Sequence, residues 1–89
     1  MAKRYESEAH VVVDGEEFPV YARFEVFTDG ALKRWGGSLG SDEPGLGFKL
    51  FDADRARLRM PDGKEGVIIA TGSDGGGLIP FVGSGPSPT

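Results

Sequence analysis

The chain has no cysteine, a single histidine and a single tryptophan among its 89 residues. Without cysteine there is neither a disulfide staple nor a thiolate metal centre. No stretch approaches the roughly 18 consecutive apolar residues of a helical membrane span, and the opening MAKRYESEAH lacks the apolar core of a signal peptide. The expectation is a cytoplasmic protein with no membrane partner. Excess positive charge is missing too: 10 Lys and Arg stand against 14 Asp and Glu, and the net charge of −4 opposes attraction to phosphate polymers. Nucleic acid is therefore not an expected partner. Helical periodicity is also absent, since no segment repeats apolar residues at i, i+3, i+4 and i+7 over three turns. The crossovers that a parallel sheet requires are lacking.

Glycine, in contrast, is abundant, with 15 Gly beside 6 Pro. Most glycines fall between alternating apolar runs, which makes them turn residues of a β-protein. Four Asp-Gly pairs punctuate the chain, at Asp14-Gly15, Asp29-Gly30, Asp62-Gly63 and Asp74-Gly75. Asp-Gly between alternating hydrophobics is a strong hairpin signal, because glycine supplies positive φ and aspartate closes the turn on nearby amides.

The strands then follow by alternation. Tyr5 to Val13 places Tyr5, Ser7, Ala9, Val11 and Val13 on one face. Glu17 to Phe27 places Phe18, Val20, Ala22, Phe24 and Val26 on an apolar face, with Pro19 marking a sheet edge or a bulge. Ala31 to Leu39 follows, bent by Gly36-Gly37, and then a GSDEPG loop. Gly47 to Phe51, Arg55 to Met60, Gly66 to Thr71 and Leu78 to Val82 complete the set. The fold class is all-β: an antiparallel meander of about six or seven short strands forming a small barrel or a two-sheet sandwich. One domain covers residues 1–83, and 84–89 read as a flexible Gly/Pro/Ser tail with nothing to bury. Such a chain buries only about 60 to 65% of its unfolded surface, too little for a deep catalytic cleft.

No catalytic constellation is visible. His10 has no evident partner and precedes Val11 to Val13, which points it away from the inner face. Ser38 and Ser73 sit between glycines, yet neither belongs to a strand-to-helix nucleophile elbow. The Gly45-x-Gly47 and Gly83-x-Gly85 pairs lack the following helix of a phosphate cradle. The acidic pairs Asp42-Glu43 and Asp52 with Asp54 lack the ligand spacing of a calcium loop. No metal or cofactor is expected.

Two sets of residues are candidates for binding. Arg55, Arg57 and Arg59 share one strand face, about 7 Å apart, and form a guanidinium row suited to a carboxylate or phosphate. Cross-strand pairing with Glu25, Glu65 or another surface carboxylate is the plainer use of that row. Trp35 follows Lys33 and Arg34. Its strand period does not select an inner side, and Leu32 and Trp35 share a face only if a bulge intervenes at Gly36-Gly37. Turned inward, the indole would pack against Phe24, Phe48 or Phe81; turned outward beside Lys33 and Arg34, it would anchor an interface.

Taken together, Tyr5, Ala9, the apolar run ending in Asp14-Gly15, Val20, Asp29-Gly30, Trp35-x-Gly37-x-Leu39 and Pro80-Phe81-x-Gly83-x-Gly85-Pro86-x-Pro88 span nearly the whole chain. This arrangement resembles a family of small actinobacterial domains of unknown function that occur alone or appended to flavin-dependent monooxygenases. The resemblance implies a compact β-domain in an accessory role, with an oxygenase or another enzyme as a partner class and no catalytic residues. Residues 41–54 match no part of the pattern.

The sequence thus points to a non-catalytic protein-interaction or accessory module that binds another protein or itself through the Trp35 region or an exposed strand edge. The alternative is a small-ligand carrier for an acidic or aromatic metabolite, using a hollow barrel mouth with Arg57 or Arg59 fixing the acid group. A filled interior would favour the first reading and a hollow one the second.

Overall fold

The computed structural model describes residues 2–30, 32–53, 56–72 and 78–89. Six strands and one helix follow in the order β1 (Ala2–Val13), β2 (Glu16–Asp29), β3 (Leu32–Gly40), α1 (Leu46–Asp52), β4 (Ala56–Arg59), β5 (Glu65–Ala70) and β6 (Leu78–Ser84). The strands close into a barrel ordered β1-β2-β3-β6-β5-β4, every neighbouring pair antiparallel. Two three-stranded meanders are therefore joined through β3 with β6 and β4 with β1. The barrel is the outcome, not the sandwich.

The first hairpin shows why the Asp-Gly pairs matter. Val13 faces Glu16 in the ladder, which leaves a two-residue loop of Asp14 (φ 52°) and Gly15 (φ 81°). Two successive positive φ values define the type I′ turn whose twist matches that of the flanking strands. At the Asp29-Gly30 turn, Gly30 has φ 62°, and at Asp62-Gly63, Gly63 has φ 90°. The expected Asp74-Gly75 turn lies outside the described residues.

The expected fourth strand is corrected. Residues 47–51 belong to α1, with Leu46, Gly47 and Leu50 buried. Seven residues make fewer than two helical turns, too short to register as a three-turn amphipathic period. Gly45 opens the helix in the left-handed region at φ 77°, and its carbonyl accepts a hydrogen bond from the Lys49 amide at 3.0 Å. Leu46 and Leu50, four apart, share a helix face and join the core cluster. Phe48 and Phe51 stay outside.

The proposed bulge at Gly36-Gly37 is also absent. The β2–β3 register runs without interruption from Tyr21↔Gly40 to Asp29↔Leu32, and β3–β6 runs from Gly36↔Val82 to Gly40↔Leu78. The glycines serve close approach instead: a Cβ at Gly37 would lie 2.7 Å from the Phe24 Cα, and one at Gly36 would lie 2.9 Å from the Phe81 carbonyl oxygen. Pro19 sits as its missing N–H suggests, on a stretch of β2 that β3 does not reach.

The interior is filled by the inward-facing residues of all six strands and α1. Val11, Val13, Phe24, Leu39, Leu46, Leu58 and Ile68 are each under 2% exposed. No described polar or charged residue is buried among them. Tyr5 stacks on Phe24 at 5.3 Å, Phe24 meets Trp35 edge-on at 5.6 Å, and Trp35 meets Phe81 edge-on at 5.9 Å. Each such pair adds about 0.5 to 1.5 kcal/mol beyond its buried area.

Candidate interaction surfaces

Trp35 belongs to the core, at 5% exposure. With no bulge, Trp35 and Leu39, four apart, both turn inward. The β3–β6 ladder extended by one step brings Trp35 opposite Gly83, and the β5–β6 register sets Gly66 beside Gly85. The indole occupies the space that Gly66 and Gly83 leave. A Cβ at Gly83 would fall within the indole itself, and one at Gly66 would lie 2.8 Å from Cη2 and Cζ2. The indole N–H donates to the Gly85 carbonyl at 3.0 Å, so its one polar atom is satisfied. Residues 84–89 do more than sequence reading assigned to them. Pro88 is under 2% exposed, and its Cδ would lie 2.9 Å from a Cβ at Gly66. The Trp35, Gly83, Gly85 and Pro88 pattern is thus a packing device. Trp35 is not an exposed anchor, and of the three phenylalanines expected to hold it, Phe24 and Phe81 do so while Phe48 is 73% exposed.

Lys33 and Arg34 stand exposed near the open end of β3, Arg34 on the outer face. The alternation that turns Trp35 inward separates it from Arg34. Arg55 lies outside the described residues. Arg57 and Arg59 share the outer face of β4 as the strand period requires, but acidic residues answer both. The Arg59 guanidinium bonds Glu65 at 2.7 Å and also Glu17, and Arg57 lies 3.7 Å from Glu65. The hydrogen bond to Glu65, with the negative charges of Glu17 and Glu65, raises the Arg59 pKa above its ordinary value despite partial desolvation. Glu25 pairs instead with Arg4, at 3.2 Å.

His10 is exposed on β1, between Pro19 of β2 and Arg59 of β4. It borders an open depression with Glu8, Tyr21, Ser41, Asp42 and Leu78. A second depression lies over Gly36-Gly37 between Arg4, Arg23, Glu25 and Phe27. Side chains fill the barrel, and both depressions lie on its outer surface. Among the described residues, no three His, Asp or Glu side chains gather as metal ligands, and no helix is long and apolar enough to cross a membrane.

The outer surface divides by chemistry. Arg4, Glu6, Glu8, Arg23, Glu25, Arg57 and Arg59 charge the outer faces of β1, β2 and β4. On β5 and β6, Val67, Ile69, Leu78, Pro80 and Val82 face outward, and Ile69 pairs directly with Val82. The most exposed aromatics are on α1: Phe48 at 73% and Phe51 at 59%. Sequence reading missed this pair because it treated the segment as a strand. The signal was present in Leu46 and Leu50 at spacing four, which leaves Phe48 and Phe51, at spacing three, on another side. Lys49 lies over the half-buried Phe18 ring at 5.0 Å and reaches Glu16 at 3.8 Å, tying the helix to β2.

No family model, curated protein or solved structure matches this chain.

Proposed function

We propose that the protein is a non-catalytic interaction module that docks a partner protein on α1 through Phe48 and Phe51. The observation that carries this reading is the exposure of two phenylalanines three apart on a helix whose other side, Leu46 and Leu50, is committed to the core. Exposed aromatic side chains cost solubility, and burying them at an interface recovers roughly 2 kcal/mol or more apiece. The helix is a rigid mount, because its buried leucines and the Lys49 contacts fix it on the barrel. The filled interior favours this reading over the metabolite carrier. The resemblance to domains appended to flavin-dependent monooxygenases makes an enzyme the first partner class to try.

Photo-cross-linking in cells tests it. A benzoyl-phenylalanine replacing Phe48 keeps the local shape and should give a discrete adduct with one partner, lost when Phe51→Ser is added. The same probe at Arg57 should give none. Equal adduct patterns from both positions, or none from position 48, would overturn the proposal.

A further inference from the structure

A different surface, independent of the reading above, concerns the free edge of β1. The strand pairs with β2 along its whole length, from Ala2↔Phe27 to Val13↔Glu16, but with β4 only at His10, Val11 and Val12. On the β4 side, no described strand pairs with Ala2–Ala9. Alternate residues of this stretch, Ala2, Arg4, Glu6 and Glu8, turn their backbone donors and acceptors away from β2 and form an open edge, the arrangement that invites another strand. Ala2, Lys3, Arg4, Glu6 and Glu8 along it are exposed, and Tyr5 and Ser7 half-buried.

We infer that this edge pairs antiparallel with the same edge of a second copy, with Tyr5 on the two-fold axis. The axis of such a dimer stands perpendicular to the sheet, and directly opposed residues must point to the same side. Positions i and j can therefore face each other only when both are odd or both even. Within Ala2–Ala9, two such registers use seven residue pairs, one centred on Tyr5 and one on Glu6; the others are shorter. Charge decides between the two. Centring on Glu6 sets Arg4 against Glu8 but places Glu6 against its own copy on the axis. Centring on Tyr5 sets Arg4 against Glu6 on both sides of the axis, Lys3 against Ser7, Ala2 against Glu8 and Tyr5 against Tyr5, with no like charges opposed.

The neighbouring ladder extends the same pattern. Arg4 faces Glu25 on β2, with an ion pair of 3.2 Å, and Glu6 faces Arg23. Across the seam, one continuous row on the outer face would read Glu25, Arg4, Glu6 of the second copy and Arg23 of the second copy. The signs alternate at every step, the arrangement that cross-strand pairs favour. Seven pairs span about 24 Å and supply about six to eight backbone hydrogen bonds. The Ser7 hydroxyl bonds the Glu8 carbonyl at 2.7 Å, and that oxygen keeps a second lone pair for the new strand.

Sedimentation from about 10 to 500 μM, a range suited to modest affinity, should show wild type passing from monomer to dimer. Arg4→Glu alone opposes Glu to Glu, and Glu6→Arg alone opposes Arg to Arg. Each variant should dimerise about tenfold or more weakly than wild type. Mixed one to one they become complementary, and the dimer should return as a heterodimer. A merely structural effect of either substitution would not be repaired by mixing. The chain has no cysteine, so Arg4→Cys and Glu6→Cys report the register cleanly. Oxidised together they should give a covalent heterodimer, and oxidised separately neither should cross-link. A wild type monomeric throughout, no recovery on mixing, or Glu6→Cys cross-linking to itself would each overturn the inference. None of these outcomes touches the Phe48 and Phe51 proposal.

Discussion

Gly83→Ala tests the account of Trp35 at its tightest point. A methyl group at Gly83 would have to occupy the space of the indole, which Phe24 and Phe81 hold at ring distances of 5.6 and 5.9 Å and the Gly85 carbonyl holds by a 3.0 Å hydrogen bond. The chain has two ways to respond. Expelling the indole forfeits roughly 200 Å² of burial, about 5 kcal/mol at 25 cal/mol/Å², and a hydrogen bond of about 1 kcal/mol. Shifting β6 away incurs the usual overpacking cost of about 1 to 3 kcal/mol. The cheaper route prevails, so the expected loss is about 3 kcal/mol from a total of roughly 5 to 10. For a domain of this size that lowers Tm by about 12 to 24 °C. Thermal unfolding followed by tryptophan emission measures the loss and reports whether the single indole becomes wetter. Gly15→Ala is the control: its φ of 81° carries strain, but nothing lies within 4 Å of the added Cβ, so about 1 kcal/mol is expected. In a Trp35→Leu background Gly83→Ala should lose most of its effect. The reasoning is refuted if Gly83→Ala is no worse than Gly15→Ala with emission unchanged, or if the two core substitutions are additive.

The other substitutions separate buried from exposed roles. Leu50→Ala should cost about 2 to 5 kcal/mol by chemical denaturation, whereas Phe48→Ser with Phe51→Ser should stay within about 0.5 kcal/mol per site. A large loss from the phenylalanine pair would show that it supports the fold. Arg59→Ala should lower stability only slightly, and less in 1 M salt, because its partners Glu17 and Glu65 are surface carboxylates. A salt-independent loss would contradict that. Removing residues 86–89 should lower Tm and raise acrylamide quenching of Trp35, since Pro88 is buried where Gly66 meets the indole; unchanged quenching would mean that Pro88 does not cover it.

The residues themselves explain what was legible in the sequence. The inner faces of β1 and β2 follow from strict alternation, and two positive-φ residues between Val13 and Glu16 make the first hairpin a local event. The direction of Trp35 was not local. Two cations before it and two glycines after it leave no alternation signal, and the space for its indole comes from Gly66 and Gly83, which become neighbours only through the β3–β6–β5 registers. Helix α1 escaped for a related reason: its two core leucines suffice to hold fewer than two turns against the barrel, whereas propensity alone would not. Arg57 and Arg59 share the outer face that the strand period requires, but Glu17 as a partner depended on β4 closing against β1. The open edge of β1 is likewise a property of strand lengths, visible only once β4 ends at Arg59.

The central claim is that the protein fills its own barrel and works through its outer surface. Native mass spectrometry of freshly purified protein tests this most directly. The account predicts species whose masses are those of the polypeptide alone, as monomer and dimer. A small molecule retained reproducibly inside the barrel would contradict it.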